Sequence, residues 1–411
     1  MVMKRLYYIL LLCMMAVACT PDSAPSYKKT LGTPSDTEIW YTTNDGTMIM
    51  TLDEGAFDAK IIAHTYNGGK GVIEFAEPLR RVGARAFERC NRVDNISLPS
   101  SVESIGEYAF NDCNALECIS LGASLRTIGT DAFEGSYNLT TVHIASIADW
   151  CNISFETPHS NPIYCAGTIC VNGAPVRKLE IPEGVTTIRK YAFNNLVTIS
   201  SVAMPTTLQM VEERAFEDCL SLAGLYIKSV ESWCAVTFAD IYANPLYYAE
   251  TLYVQGERCA DLELASGVQS ISNYAFINAN SLTSLLIGDS VKSVGKSAFN
   301  SCMSLKECII GDGVKTIDDE AFRNCVSMKS LSLGAFVHSI GKYAFMNCAE
   351  LQTIYCYATT PPSLAGSDTF AYGPDRRTFY VPEESLYEYK ENDAWEQYAS
   401  ITFPIPYYSQ E

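Results

Sequence analysis

Sixteen cysteines and four histidines are the residues of this chain best suited to bind a metal, form disulfides or attack an electrophile. A structural zinc site needs ligands in tight pairs, typically C-x-x-C, and no such pair occurs. His64, His143, His159 and His338 are scattered without metal-ligand spacing. A catalytic histidine needs a nucleophile or carboxylate partner, and the sequence implies none. Gly295-Lys296-Ser297 imitates the end of a phosphate loop, but the glycine required five residues earlier is Ser290. Neither G-x-S-x-G nor H-E-x-x-H occurs. These patterns point to no catalytic residue, no metal and no cofactor, and to a protein that is not an enzyme.

The cysteines follow a different rule. Cys90, Cys113, Cys219, Cys302, Cys325 and Cys348 each stand three residues after the phenylalanine of an Ala-Phe pair. Those pairs end at Phe87, Phe110, Phe133, Phe193, Phe216, Phe276, Phe299, Phe322 and Phe345, at intervals of 23 or 60 residues. Ser136, Leu196 and Ala279 take the cysteine place in the remaining units, as suits a small buried ladder position. Reduced core thiols are the expectation, because substitution leaves the repeat intact. Disulfides between neighbouring coils are the alternative in an oxidising compartment. Cys118, Cys165, Cys170, Cys259, Cys308 and Cys356 form no consistent pairing.

Apolar residues keep one register around every repeat phenylalanine. Leu116, Leu139 and Leu282 lie six residues on, and pairs such as Ile96/Leu98 and Leu331/Leu333 lie nine and eleven on. Ile105, Ile128, Val294 and Ile340 lie eighteen on. Apolar residues two apart describe a strand with one buried face. The Ala-Phe segment, preceded by Gly83, Gly106, Gly129, Gly295 or Gly341, reads as a tight turn into a short helical coil. A single unit cannot bury its apolar face, whereas stacked units share a continuous core. The fold class is therefore a repeat solenoid, mainly β with short helical turns, winding as a right-handed superhelix with a parallel sheet along one side.

Composition sets outer limits. With 48% hydrophobic residues the chain has ample apolar surface to fold, which excludes a disordered protein. A net charge of −18 argues against a nucleic-acid partner, since a phosphate backbone repels an acidic surface. Length alone, 411 residues, would suggest two or three domains. One register running from Phe87 to Phe345 makes it a single array.

The two long intervals are related to each other. Trp150-Cys151 and Trp233-Cys234 stand 83 residues apart, as do Asn161-Pro162 and Asn244-Pro245. Each interval is a coil enlarged by 37 residues, at about 145–181 and 228–264 within a solenoid spanning 87–369. Ile169–Gly173 and Leu252–Gly256 read as hairpins, and the Trp-Cys segments as short helices on the flank. Residues 38–86 form an N-terminal cap beginning with a hairpin over Ile39–Ile49, followed by a degenerate Ala56-Phe57 coil. Residues 370–411 form a C-terminal cap with a helix from Glu383 to Trp395.

This register resembles the BspA-type leucine-rich repeats of bacterial surface proteins, over nearly all of residues 38–411. The resemblance implies a leucine-rich-repeat solenoid. It also implies a cell-surface protein that binds other proteins, with adhesion to host extracellular proteins known in some members. A structural or glycan-binding subunit of an envelope complex is the alternative.

On each predicted strand, positions nine and eleven after the phenylalanine face the core, so positions eight and ten face outward. Most outward residues are small and polar, but Tyr226, Leu286, Ile309 and Tyr355 are not. With His143 they are the candidate binding residues, tyrosine being enriched at interface hot spots. The competing reading has them packed beneath a loop or against the enlarged coils.

The N-terminus carries an address. Lys4 and Arg5 precede the apolar run Leu6–Met15, and Ala16-Val17-Ala18-Cys19 follows. A positive start, an apolar core and small residues describe a secretory signal over 1–18, too short for a permanent membrane span. Small residues before a cysteine resemble the lipobox of bacterial lipoproteins, which implies lipidation at Cys19. Loss of Lys4 and Arg5 with the signal takes the charge from −18 to −20. Residues 19–37, rich in Pro, Ser and Thr, read as a flexible tether. The expected address is the bacterial outer membrane, lipid-anchored and facing out. A periplasm-facing orientation is the alternative, because only Asp22 supplies acid just after Cys19.

Overall fold

The computed structural model describes residues 27–49 and 53–406. Each regular coil contributes a strand of three to five residues to one sheet and a two-residue strand to a second. Strands Val93–Ser97, Cys118–Ser120, Thr141–Ile144 and Ile169–Val171 run parallel, each in register with the next. Lys178–Glu180, Ser201–Ala203, Gly224–Ile227 and Leu252–Val254 form a second parallel group. A third group runs from Asp261–Leu264 through Ser284–Ile287, Glu307–Ile310, Ser330–Leu333 and Thr353–Cys356 to Thr378–Val381 and Thr402–Pro404. The 23-residue step brings one position of each coil directly against the same position of the next.

Between the sheets lies the core. Phe87, Phe110 and Phe133 stack face to face with centroids 5.1–5.2 Å apart. Phe276, Phe299, Phe322, Phe345 and Phe370 do the same at 5.1–5.2 Å. Each such ring pair adds about 0.5–1.5 kcal/mol beyond its buried area. In five coils the thiol three residues after the phenylalanine donates to the phenylalanine carbonyl of the preceding coil, as Cys219 does to Phe193 at 3.2 Å. Ser136 makes the same bond to Phe110 at 2.6 Å, which explains why serine can replace cysteine there. The fourteen described cysteines are free.

The Ala-Phe segments are not helical. The residues two before and two after each repeat phenylalanine all adopt left-handed backbone conformations, from Arg85 and Arg89 to Tyr343 and Asn347. This places three N–H groups per coil against the next coil: Glu320, Phe322 and Asn324 donate to the carbonyls of Lys342, Ala344 and Met346 at 2.8–2.9 Å. The left-handed conformation costs roughly 1–2 kcal/mol per non-glycine residue. The ladder bonds it permits would otherwise be buried and unmade, a loss of comparable size. The preceding glycines are not turn residues either. A Cβ at Gly106 would lie 2.4 Å from the Ala84 nitrogen, so glycine is required by the close approach of coils.

The caps differ from the sequence expectation. Glu38–Thr43 pairs antiparallel with Val93–Ser97 on one side and Lys70–Phe75 on the other. The hairpin of this cap is Ile61–Asn67 with Lys70–Phe75, turning at Gly68-Gly69, and not a hairpin over Ile39–Ile49. At the other end the helix is confined to Leu386–Glu391, flanked by 3-10 turns Glu383–Ser385 and Glu396–Ile401. Asn392 breaks it with an extended backbone, and the turn beyond lets Trp395 pack on Phe379 and Tyr389.

In the enlarged coils, helices Ile147–Cys151 and Val230–Cys234 start at Ser146 and Ser229, whose hydroxyls accept the N–H three residues on. Trp150 and Trp233 are buried and donate through Nε1 to the Ala192 and Ala275 carbonyls, at 2.6 and 2.8 Å. Asn161 and Asn244 reach the same two carbonyls at 3.2 and 3.0 Å. In a regular coil that carbonyl accepts the N–H of the preceding phenylalanine. The tryptophan and asparagine therefore replace a ladder bond that the enlargement removes.

Candidate binding surface

The outward positions form rows, because the parallel register repeats them coil by coil. In the first sheet Asn95, Cys118 and Thr141 make one row, and Ser97, Ser120, His143 and Cys170 the other. These rows are covered. From sequence, residues 19–37 read as a flexible tether, yet residues 28–30 lie across the outer face. The Lys28 N–H donates to Thr141 at 3.3 Å, and the Lys28 carbonyl sits 2.9 Å from His143 Nε2. Asn95 donates to the Lys29 carbonyl at 3.0 Å, and the Thr30 and Ser120 hydroxyls lie 2.8 Å apart. Small polar outer residues offer the donors and acceptors that an extended segment needs, so the segment binds where the sheet is polar.

His143 is accordingly buried, not a free surface residue. It borders a hollow of about 260 Å³ beside Thr30, Ser120, Asn172 and Gly173. Lys28 Nζ lies 2.9 Å from Glu117 and 3.2 Å from Asp94. Burial acts to lower the lysine pKa, but hydrogen bonds to the two carboxylates outweigh it and raise it. Cys19 lies outside the described residues.

The remaining candidates are uncovered. Tyr226 is half-buried and stacks on Tyr253 at 4.3 Å with ring planes 6° apart. Both rings lean over Gly224, where a Cβ would come within 3.1 Å of Tyr253. In the third sheet Leu286, Ile309, Ser332, Tyr355, Tyr380 and Phe403 are consecutive members of one row. Leu286, Ile309 and Phe403 are 37%, 49% and 47% exposed. Tyr355 stacks on Tyr380 at 5.1 Å and lies 6.3 Å from Tyr357. Three of the five candidates thus fall on a single line. Tyr253 and Phe403 lie outside the 23-residue register, in hairpin and cap, and alternation within their own short strands was their only sequence signal. Tyr380 stands ten residues after Phe370, the outward position of a strand register that Phe379 and Val381 repeat after a 25-residue step.

The charged and reactive groups elsewhere are of two kinds. Burial pushes the thiols of Cys113, Cys234 and Cys348 up to about 12, which makes them inert. His159 differs: from sequence it has no ligand partners, but the fold brings it beside Asp131 and Glu134.

A family model described as "BspA type Leucine rich repeat region" matches residues 69–160, 167–244 and 250–372, in six copies. No curated protein sequence matches the chain. Among solved structures, a leucine-rich repeat protein from Bacteroides ovatus ATCC 8483 is 21% identical, covering 83% of this chain and 90% of its own, with a TM-score of 0.40. A leucine rich cell surface protein from Faecalibacterium prausnitzii A2-165 is 19% identical, covering 90% and 98%, with a TM-score of 0.46. The pneumococcal vaccine antigen PcpA is 16% identical, covering 92% and 98%, with a TM-score of 0.40.

Proposed function

The chain belongs to the BspA-type leucine-rich repeat family, and on that premise we propose that it is a non-catalytic surface protein that binds a protein partner. Proteins of this family are generally non-enzymatic and typically found at the cell surface. The anchor is the lipidated Cys19 at the outer membrane. The binding surface is the outer row Leu286–Ile309–Tyr355–Tyr380–Phe403. The observation that carries this reading is that row: Leu286, Ile309 and Phe403 are exposed and Tyr355 and Tyr380 half-buried along one line of the sheet, interrupted only by Ser332. Tyr226 and Tyr253 extend the surface, and His143 contributes only if residues 28–30 lift away.

Ring geometry favours a protein over a glycan. Sugars stack on open aromatic faces, whereas Tyr226/Tyr253 and Tyr355/Tyr380 stack on each other, so each ring has one face covered by its neighbour. Paired tyrosines beside exposed Leu286 and Ile309 make the mixed apolar and hydroxyl surface that suits a peptide or protein. The acidic charge favours basic patches on the partner, and association weakens with salt.

The test is capture of host extracellular proteins, and in parallel a glycan array, by wild type and Ile309→Asp. Ile309 is exposed, so the variant keeps its fold, and retention of a protein ligand falls at least tenfold. Equal retention by Ile309→Asp, or binding confined to the glycan array, refutes the reading. Protease shaving of intact cells tests the outward orientation, and Cys19→Ser should release the protein from the membrane fraction.

A further inference from the structure

The 83-residue duplication supplies two versions of one site, differing only in side chains. In the first, Asp131 and Glu134 flank a repeat phenylalanine, and His159 comes from the turn of the enlarged coil. His159 Nδ1 lies 3.6 Å from Asp131 Oδ1 and 4.0 Å from Glu134 Oε1. One ligand atom from each of the three falls within 4.8 Å of the others. Thr157 donates to Asp131 Oδ1 at 2.7 Å, and the Tyr164 ring meets His159 edge-on at 4.6 Å. All three residues are half-buried, with one side open to solvent.

In the second version Arg214, Glu217 and Tyr242 occupy the corresponding positions. The backbone is the same. Phe216 N–H bonds the Tyr242 carbonyl as Phe133 N–H bonds that of His159. Arg214 N–H bonds the Asp240 carboxylate as Asp131 N–H bonds Thr157. Tyr242 meets Tyr247 edge-on, at 5.2 Å and 77°. There the guanidinium lies 3.5 Å from the Glu217 carboxylate, so the site carries its own cation. In the first version that cation is exchanged for a second carboxylate, and a tyrosine for an imidazole. Two acids and one basic nitrogen then converge on a point with no fixed positive charge among them.

We infer that Asp131, Glu134 and His159 bind one divalent transition-metal ion, which ties the regular coil to the enlarged coil. In a tetrahedral zinc site with bonds of about 2.0–2.1 Å, neighbouring ligand atoms stand about 3.4 Å apart. The two His159 separations, 3.6 and 4.0 Å, need contraction by about 0.2 and 0.6 Å, and the carboxylate pair, within 4.8 Å, by up to about 1.4 Å, movements that side-chain rotation supplies. Two carboxylate oxygens with an imidazole nitrogen select a borderline ion such as Zn²⁺ over Ca²⁺ or Mg²⁺, which prefer all-oxygen shells. Thr157 orients the aspartate from behind, as outer partners of metal ligands do. The open side leaves the fourth position to water.

The test is calorimetric titration of the purified protein with Zn²⁺ in the presence of millimolar Mg²⁺. Wild type should bind one equivalent saturably. His159→Tyr, which copies the second version and so fits the same turn, should weaken binding more than tenfold with an unchanged melting temperature of the metal-free protein. The triple variant Arg214→Asp, Asp240→Thr and Tyr242→His, which also copies the Thr157 partner, should gain a second equivalent. Absence of saturable binding overturns the assignment, as does undiminished binding by His159→Tyr, which would place the metal on thiols or other acids. If the first-site variant misfolds, the transplant decides alone: stoichiometry remaining at one overturns the assignment.

Discussion

Replacing Gly334 with alanine measures how tightly the coils are stacked. Gly334 lies twelve residues after Phe322, where Gly288 and Gly311 stand in the neighbouring coils. A Cβ there would lie 2.4 Å from the Gly311 oxygen, 2.5 Å from its carbonyl carbon and 2.8 Å from Asp312 Cα. Every obstacle is backbone, so no side chain can swing aside. The two coils must separate by about 1 Å, overpacking that costs roughly 1–3 kcal/mol. The separation also stretches the bond from Ala335 N–H to Asp312 Oδ1, now 2.7 Å, worth about 0.5–1.5 kcal/mol. Gly334→Ala should therefore destabilise by about 2–4 kcal/mol. Urea unfolding followed by circular dichroism reads this as a lower midpoint. Gly366→Ala is the matched control: its φ of 178° is ordinary extended backbone, and the nearest atom is the flexible Lys342 Cγ at 3.9 Å. The control should stay within about 0.5 kcal/mol of wild type. Equal effects from both substitutions would refute the claim that backbone contact between coils demands glycine.

Trp150→Phe keeps most of the apolar bulk but removes the indole donor to Ala192, and should cost about 1–3 kcal/mol by the same assay; no loss would mean that Asn161 alone satisfies the carbonyl. The raised thiol pKa values of Cys113, Cys234 and Cys348 hold these groups protonated in the folded chain, while unfolded thiols ionise near pH 9. The folded state then binds more protons, so stability is intact below pH 9 and falls as pH rises from 9 toward 12. The slope is up to about 1.4 kcal/mol per pH unit for each such thiol, and a flat midpoint between pH 8 and 10.5 would contradict it. Lys28→Ala removes the ion pairs with Asp94 and Glu117, and should speed diethylpyrocarbonate modification of His143 severalfold, read by peptide mass spectrometry. An unchanged rate would mean that the neutral contacts of residues 28–30 suffice to cover the face.

The array was legible because its core residues are interchangeable only with similar ones. Phe193, Leu222 and Val211 mark their places by size alone. The left-handed positions flanking each phenylalanine were not legible, since Arg, Tyr, Asp, Ser and Glu all occupy them. The demand there falls on φ, and the stacked backbone bonds impose it on whatever residue is present. The outer rows were half legible: register alone pointed to Ile309 and Tyr355, but Phe403 belongs to a strand placed by the cap. Residues 28–30 carry no apolar period, and only the fold shows that Asn95, Thr141 and His143 await them. Asp131 and His159 stand 28 residues apart, a spacing that means nothing until the enlarged coil closes.

The segment over the first sheet also fixes how force would enter the molecule. A pull on the N-terminal end does not reach the cap first. It meets the contacts of Lys28 with Thr141 and His143, then those of Lys29 and Thr30 with Asn95 and Ser120. Lys28 holds two of them together with its ion pairs to Asp94 and Glu117, and Lys29 and Thr30 follow with one each, so the contacts give way residue by residue. Their release frees residues 28–35, about 26 Å at full extension, up to the Asp36 and Thr37 carbonyls, which accept the Leu79 and Phe75 N–H groups at 2.8 Å. Only then does tension arrive at Glu38–Thr43, which is held on both edges by antiparallel neighbours and shares the load among many bonds at once. The strap is a shock absorber in front of a clamp.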